Sequence, residues 1–277
     1  MKETRIRVRA GWEWIDWREL WQSRDLVMLL VRRDLVTKYA QTMLGPLWFA
    51  IQPIVMAIVL SVAINGGAGV ATEGVPPFLF NLCSLAPWFY FSQTFGSVGA
   101  TFVNNADLFQ KVYFPRSSVP LAVGLSNLVA LAIQTSLFLI VLITYHVSGV
   151  WTSHSWRIIL IPVLFVELVV FTLGAGLCVA SLAARYRDLV HAMQYVLLIA
   201  MFASLVFVPL SSLPAHLRWL PWFNPLAVIV ENMRSLALNT PAVSAIQSAV
   251  SVAISLGLFL VGLLAFERAS RTAVDLA

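Results

Sequence analysis

Six apolar runs, each long enough to cross a hydrocarbon layer as a helix, constrain this 277-residue chain more than any other feature. They occupy residues 46–64, 79–103, 119–144, 158–182, 190–209 and 245–266. A hydrocarbon core about 30 Å thick takes roughly 20 helical residues. One such run can hide inside a soluble core, but six leave too little polar sequence to cover a soluble surface. Only 11% of the residues are charged, against roughly 25% in a soluble domain. The pattern predicts an all-α membrane protein with six transmembrane helices. Residues 46–277 form its membrane domain, behind an amino-terminal arm and interfacial helix at 1–45.

Charge gives the sidedness. Fifteen of the eighteen Lys and Arg residues lie in the amino-terminal segment, in the loops after runs two and four, or in the tail; Arg157, Arg218 and Arg234 lie on the other side. By the positive-inside rule both termini are expected in the cytoplasm. The net charge of +5 is then a topology signal and requires no nucleic-acid partner. The first 24 residues hold no apolar h-region, so no cleaved signal peptide is expected. Cys83 and Cys178 fall inside runs two and four and support neither a disulfide framework nor a metal site.

Trp14, Trp17 and Trp21 recur at i, i+3 and i+7 behind Asp16 and Glu19, which have capping-box spacing. That places three indoles on one face of a short helix, suited to a membrane interface or to the protein's own surface. Between Ser23 and Tyr39 the pattern is basic and helical without one clean apolar face, as in a helix that touches water, headgroups and protein on different sides. Arg32, Arg33 and Lys38 are candidate ligands for an anionic headgroup, with plain topology signals as the competing reading. Gly45, Pro46 and Trp48 punctuate the passage into the first apolar run, which meets no ionisable side chain until Glu73.

In run two, Trp88, Phe91, Phe95 and Phe102 share a helical face, the kind of aromatic wall along which sugars slide, or alternatively a core or lipid face. The following loop, Asn104 to Pro120, is cytoplasmic by charge. Asn105 or Asp107 can cap a short helix there that Pro115 must end. Phe109, Tyr113 and Phe114, beside Lys111 and Arg116, make it too apolar for a solvated connector. It either docks a second protein or packs back on this one. In runs three and four, Gln134 and Glu167 are polar groups within the membrane. Glu167 is either a functional carboxylate or a structural one bonded to the run-three amides. Pro209, Pro214, Pro221 and Pro225 forbid a single helix across the outer segment 209–244, which fits two short re-entrant helices, with Glu231 and Arg234 spaced to pair.

No phosphate-binding glycine loop, metalloprotease motif or paired-cysteine motif occurs. Any nucleotide-derived energy must come from another polypeptide.

Arg33-Asp34-Leu35 through Lys38-Tyr39, Leu44-Gly45, Gln52-Pro53, Phe114-Pro115-Arg116, Arg185-Tyr186-Arg187-Asp188 and Asn224-Pro225 together resemble the membrane subunits of ABC-2 type exporters, in particular those for polysaccharides. The resemblance implies the type V ABC exporter fold, in a multi-pass subunit of the bacterial cytoplasmic membrane. It implies two copies of the chain working with two copies of a separate ATPase. ATP and Mg would bind only to that partner, and this chain would carry no cofactor and catalyse nothing itself. Asn105, Asp107, Phe109, Lys111, Tyr113, Phe114 and Arg116 would be the ATPase-coupling loop, and 209–244 the periplasmic gate. The cargo most resembled is O-antigen glycan on a polyprenyl diphosphate. Capsular polysaccharide, teichoic acid or a small hydrophobic compound stays open, as does a proton-coupled carrier using Glu167.

Overall fold

The computed structural model describes residues 23–39, 42–105, 109, 114–152 and 156–275. The indole triad, Asp107, Lys111 and Tyr113 lie outside them. Among the described residues, eight α-helices of more than one turn follow in order: α1 (Arg24–Tyr39), α2 (Trp48–Leu60), α3 (Pro77–Gly99), α4 (Ser118–Val147), α5 (Ile161–Ala183), α6 (Leu189–Ala203), α7 (Pro225–Leu238) and α8 (Ala245–Asp275).

Local chemistry sets several boundaries. Gly45 takes a positive φ of 50°, and its N–H donates to Thr42 Oγ1 at 3.1 Å. Pro46 then opens a 3₁₀ turn that leads into α2. At its other end α2 widens into a π turn over Ser61–Gly67. That turn carries Asn65 to within 2.8 Å of Asn81 on α3, whose amide also donates to Ser61. Asn239, at φ 57°, ends α7 in the left-handed conformation that Asn tolerates.

Among the described residues, four continuous helical segments are long and apolar enough to cross a membrane: Gly45–Gly67, Ser118–Val147, Trp156–Ala183 and Ala245–Ser270. They coincide with runs one, three, four and six. Run two becomes α3, a 23-residue helix that the protein itself encloses: every residue from Leu79 to Trp88 is buried. A helix apolar all round belongs in the interior, and α3 is the post around which α2, α4, α5 and α7 pack. Run five departs from expectation. Its helix, α6, stops at Ala203 after 15 residues, roughly 22 Å at 1.5 Å per residue, because the chain beyond is drawn off by side chains of α7.

Helices α5 and α8 make the closest crossing. A Cβ at Gly174 would lie 2.5 Å from the Phe259 nitrogen, and one at Gly262 would strike the Gly174 carbonyl. At the opposite edge, Val27, Leu30 and Val31 seat α1 on Val119 and Ala122 of α4. Met28 and Leu29 on the same helix are 66% and 62% exposed, so α1 offers a second, open apolar face.

Candidate functional site

Two polar and aromatic centres sit at opposite ends of α3. At the end shared with α1, the stretch after α3 continues through a short helical turn at Thr101–Asn104. The Phe109 N–H donates to the Asn105 carbonyl at 3.1 Å, a helical bond. The Asn105 side-chain amide donates backward, to the Thr101 carbonyl at 3.1 Å.

Phe109 is the centre of this end. Its ring lies 5.8 Å from both Phe102 and Phe114, and the Arg116 guanidinium stands 5.5 Å over it. Phe102 in turn stacks on Phe266 of α8 at 4.7 Å. Phe109 and Phe114 also pack against the α1–α4 contact, and Arg116 Nη1 donates to the Ser270 carbonyl of α8. Phe109, Phe114 and Arg116 turn back on the chain and join α1, α4, α8 and the turn that follows α3. Burial lowers the Arg116 guanidinium from its ordinary pKa, with Glu267 opposing.

The three expected headgroup ligands separate. Arg32 is exposed, and Arg33 is held by Asp34, with Nη2 to Oδ1 at 3.1 Å. Lys38 turns inward. Its Nζ donates to Asn127 Oδ1 at 2.5 Å, and Asn127 Nδ2 donates to Thr94 Oγ1 at 2.9 Å. Burial pushes the Lys38 ammonium below its usual range, against the pull of Asp34. Lys38 as a residue stays exposed, and its ammonium is shared with the Asn127 amide.

The aromatic stripe of run two is buried. Trp88, Phe91, Phe95 and Phe102 do share a face, but α5 and α8 cover it. Phe91 stacks on Phe171 at 5.5 Å and on Phe95 at 5.3 Å, and all four side chains are buried. In this chain they are core, and no open wall is left there. The exposed aromatics lie elsewhere. Tyr195 and Phe202, seven residues apart on one face of α6, are 71% and 64% exposed, and Trp219 and Phe223 beyond them are open as well. Their signal was in the sequence as i, i+7 spacing, masked by the denser aromatic content of run two.

Glu167 does not reach the run-three amides. Its Oε1 accepts from Ser251 of α8 at 2.5 Å, while neither amide atom of buried Gln134 has a partner among the described residues.

The centre at the far end escaped sequence reasoning except for one pair. Arg234 Nη1 and Glu231 Oε1 meet at 3.0 Å, fully buried. Arg234 then uses every remaining donor: Nε to Ser84 Oγ at 2.7 Å, Nη1 to Val208 O at 3.4 Å, and Nη2 to Leu205 O and Val206 O at 2.7 Å each. Its guanidinium carbon lies 3.9 Å from the Phe80 ring centroid. Glu231 Oε1 also accepts the Leu210 N–H at 2.8 Å. Asn224 caps α7 through Leu226 and Ala227 and donates to Ala203 O and Ser204 Oγ. Three side chains thus take up the backbone between the end of α6 at Ala203 and the 3₁₀ turn that begins at Leu210, a stretch in which Leu205 is held at φ 56°. Irregular backbone away from water needs such partners, and here they come from one short helix.

Comparison with known proteins agrees with this architecture. Residues 25–238 match the family described as ABC-2 type transporter. The chain is 31% identical to an O-antigen export system permease protein RfbA of Myxococcus xanthus over 197 residues, 71% of this chain and 73% of that one. A Klebsiella pneumoniae protein of the same description is 26% identical over 216 residues, 78% and 81% of the two chains. With a family match across most of its length and a multi-pass helical fold around α3, the chain belongs to the ABC-2 type transporter family of membrane proteins.

Proposed function

We propose that this chain is the membrane subunit of an ATP-driven exporter that carries polyprenyl-diphosphate-linked O-antigen glycan across the bacterial cytoplasmic membrane. In this reading two copies pair with each other and with two copies of a separate ATPase, which alone binds ATP and Mg. The chain passes six times, through α2, α3, α4, α5, α6 and α8, with both termini in the cytoplasm. The Phe109 end of the molecule then faces inward and the Arg234 end outward, where the stretch 209–244 closes the mouth. The similarity to O-antigen export permeases supports the cargo.

The observation that carries the mechanism is the aromatic centre at Phe109. A loop that merely linked two spans would gain nothing from contacts to four other elements. Force applied to 105–116 from below passes through Phe109 to Phe102 and α3, through Arg116 to α8, and through Phe114 to α1 and α4. Sugars travel along the open face of α6, over Tyr195 and Phe202, in place of the buried stripe of α3. Aromatic faces bind the C–H surfaces of sugars without a deep well, which suits passage over capture.

Deleting the chain in its host is expected to leave polyprenyl-diphosphate-linked glycan on the inner leaflet and to strip that glycan from the cell surface. Extraction of lipid-linked saccharides, with surface labelling, checks both. Undiminished surface glycan, or accumulation of some other compound, contradicts the cargo.

A further inference from the structure

The Lys38 contact is unusual for its place. Lys38 stands near the end of α1, at the junction with the first membrane span, yet its ammonium is bonded to an uncharged amide between helices. Asn127 is 1% exposed and is itself tied to Thr94, which is fully buried. Tyr90, one turn before Thr94, donates to the Gly124 carbonyl of α4 at 3.3 Å. A polar relay therefore runs from α1 through α4 into the central helix. Asp34, one turn back from Lys38, is bonded to Arg33. An ammonium held by a neutral amide is a poor final state, because the amide supplies a hydrogen bond and no counter-charge, whereas an anion supplies both. Apart from the relay, α1 is seated on α4 by Val27, Leu30 and Val31 against Val119 and Ala122, with Leu26, Leu35, Phe109 and Phe114 packed around them.

We propose that Lys38 is an exchangeable latch: a phosphate-bearing lipid headgroup arriving beside α1 takes Lys38 from Asn127 and so releases α1 from α4. The ligand chemistry is a phosphate or diphosphate monoanion or dianion at the membrane surface, with exposed Arg33 as a second cation on the same helix. The proposal deepens the exporter reading and rests on it for the identity of the cargo. It assigns Asn127 as the competitor that keeps the site shut when no headgroup is present.

The test uses the full chain with its ATPase in phosphatidylcholine vesicles. Binding of a short-glycan polyprenyl diphosphate is measured, alongside a label on exposed Met28 that reports release of α1. Lys38→Gln is expected to weaken binding about tenfold and Lys38→Arg to restore most of it, as loss and return of one charge-assisted bond require. Asn127→Leu, which removes the competing acceptor, is expected to tighten binding severalfold, and to lose that effect when combined with Lys38→Gln. A merely structural Asn127 gives the opposite sign. Should Asn127→Leu fold poorly, Thr94→Val weakens the relay from its far end and carries the same expected sign.

Vesicles with phosphatidylglycerol and no diphosphate separate the sources. Label movement there makes bulk anionic lipid the ligand, whereas movement only with the diphosphate makes it the cargo; both retain the latch. Unaltered binding in Lys38→Gln, or weaker binding in Asn127→Leu, overturns it. Failure of the wild-type complex to move glycan while Lys38-dependent binding persists overturns the exporter reading alone.

Discussion

Arg234→Met is expected to cost about 3–5 kcal/mol of stability and to abolish export. The substitution leaves the Glu231 carboxylate buried without its counter-charge and strips donors from the carbonyls of Leu205, Val206 and Val208. Ser84 on α3 loses its partner in the same step. The damage is therefore backbone damage, spread over the stretch that ends α6 and begins the outer segment. Arg234→Lys is expected to recover little, because an ammonium supplies three donors in place of the five used here. Glu231→Gln combined with Arg234→Met is expected to be milder than Arg234→Met alone, since the stranded charge is gone. Thermal unfolding of the purified chain in detergent measures the series. A loss below about 1 kcal/mol for Arg234→Met, the size of an exposed ion pair, contradicts the clamp.

Phe109→Ala is expected to give a complex that inserts, assembles and hydrolyses ATP, yet exports at least about tenfold less glycan, a coupling loss of about 1.4 kcal/mol or more. The ring is the common neighbour of Phe102, Phe114 and Arg116, so its removal disconnects the loop from α3 while Arg116 keeps its bond to the Ser270 carbonyl of α8. Arg116→Ala is expected to break the α8 branch, and the two substitutions together to combine less than additively, as neighbours on one route do. ATP turnover and glycan appearance are measured on the same preparation. Transport that falls only in proportion to ATPase activity contradicts the claim that Phe109 transmits force, since the ratio of the two is what coupling means.

The sequence carried what composition and periodicity can carry. Runs one, three, four and six are spans because a long stretch without charge has few other places to go, and the structure places long helices on each. Glu231 and Arg234 pair because i, i+3 neighbours on a helix face each other. What failed to show was whatever depended on a partner distant in sequence. Periodicity found the face holding Trp88, Phe91 and Phe95, but nothing in it distinguishes a wall open to sugar from one closed by Phe171, about 80 residues on. Glu167 found Ser251, 84 positions away, in place of the run-three amides. Lys38 found Asn127, 89 positions away. Run five ended early for the same reason. Its last residues are apolar enough to continue a helix, and only the carbonyls they offer to Arg234 and the cap from Asn224 explain the break at Ser204. Side-chain-to-backbone bonds leave no mark in hydropathy.

The central claim is that force delivered by a separate ATPase to the Phe109 end moves a lipid-linked glycan through this chain. Proteoliposomes holding the chain and its ATPase, loaded with polyprenyl-diphosphate-linked glycan on the ATPase side, test it directly. The account predicts that glycan becomes accessible to an impermeant glycosidase on the opposite side when ATP and Mg are supplied. It predicts none with a non-hydrolysable analogue or without the ATPase. Glycan crossing in vesicles that contain this chain alone, or ATP consumed at full rate with no glycan crossing, would contradict it.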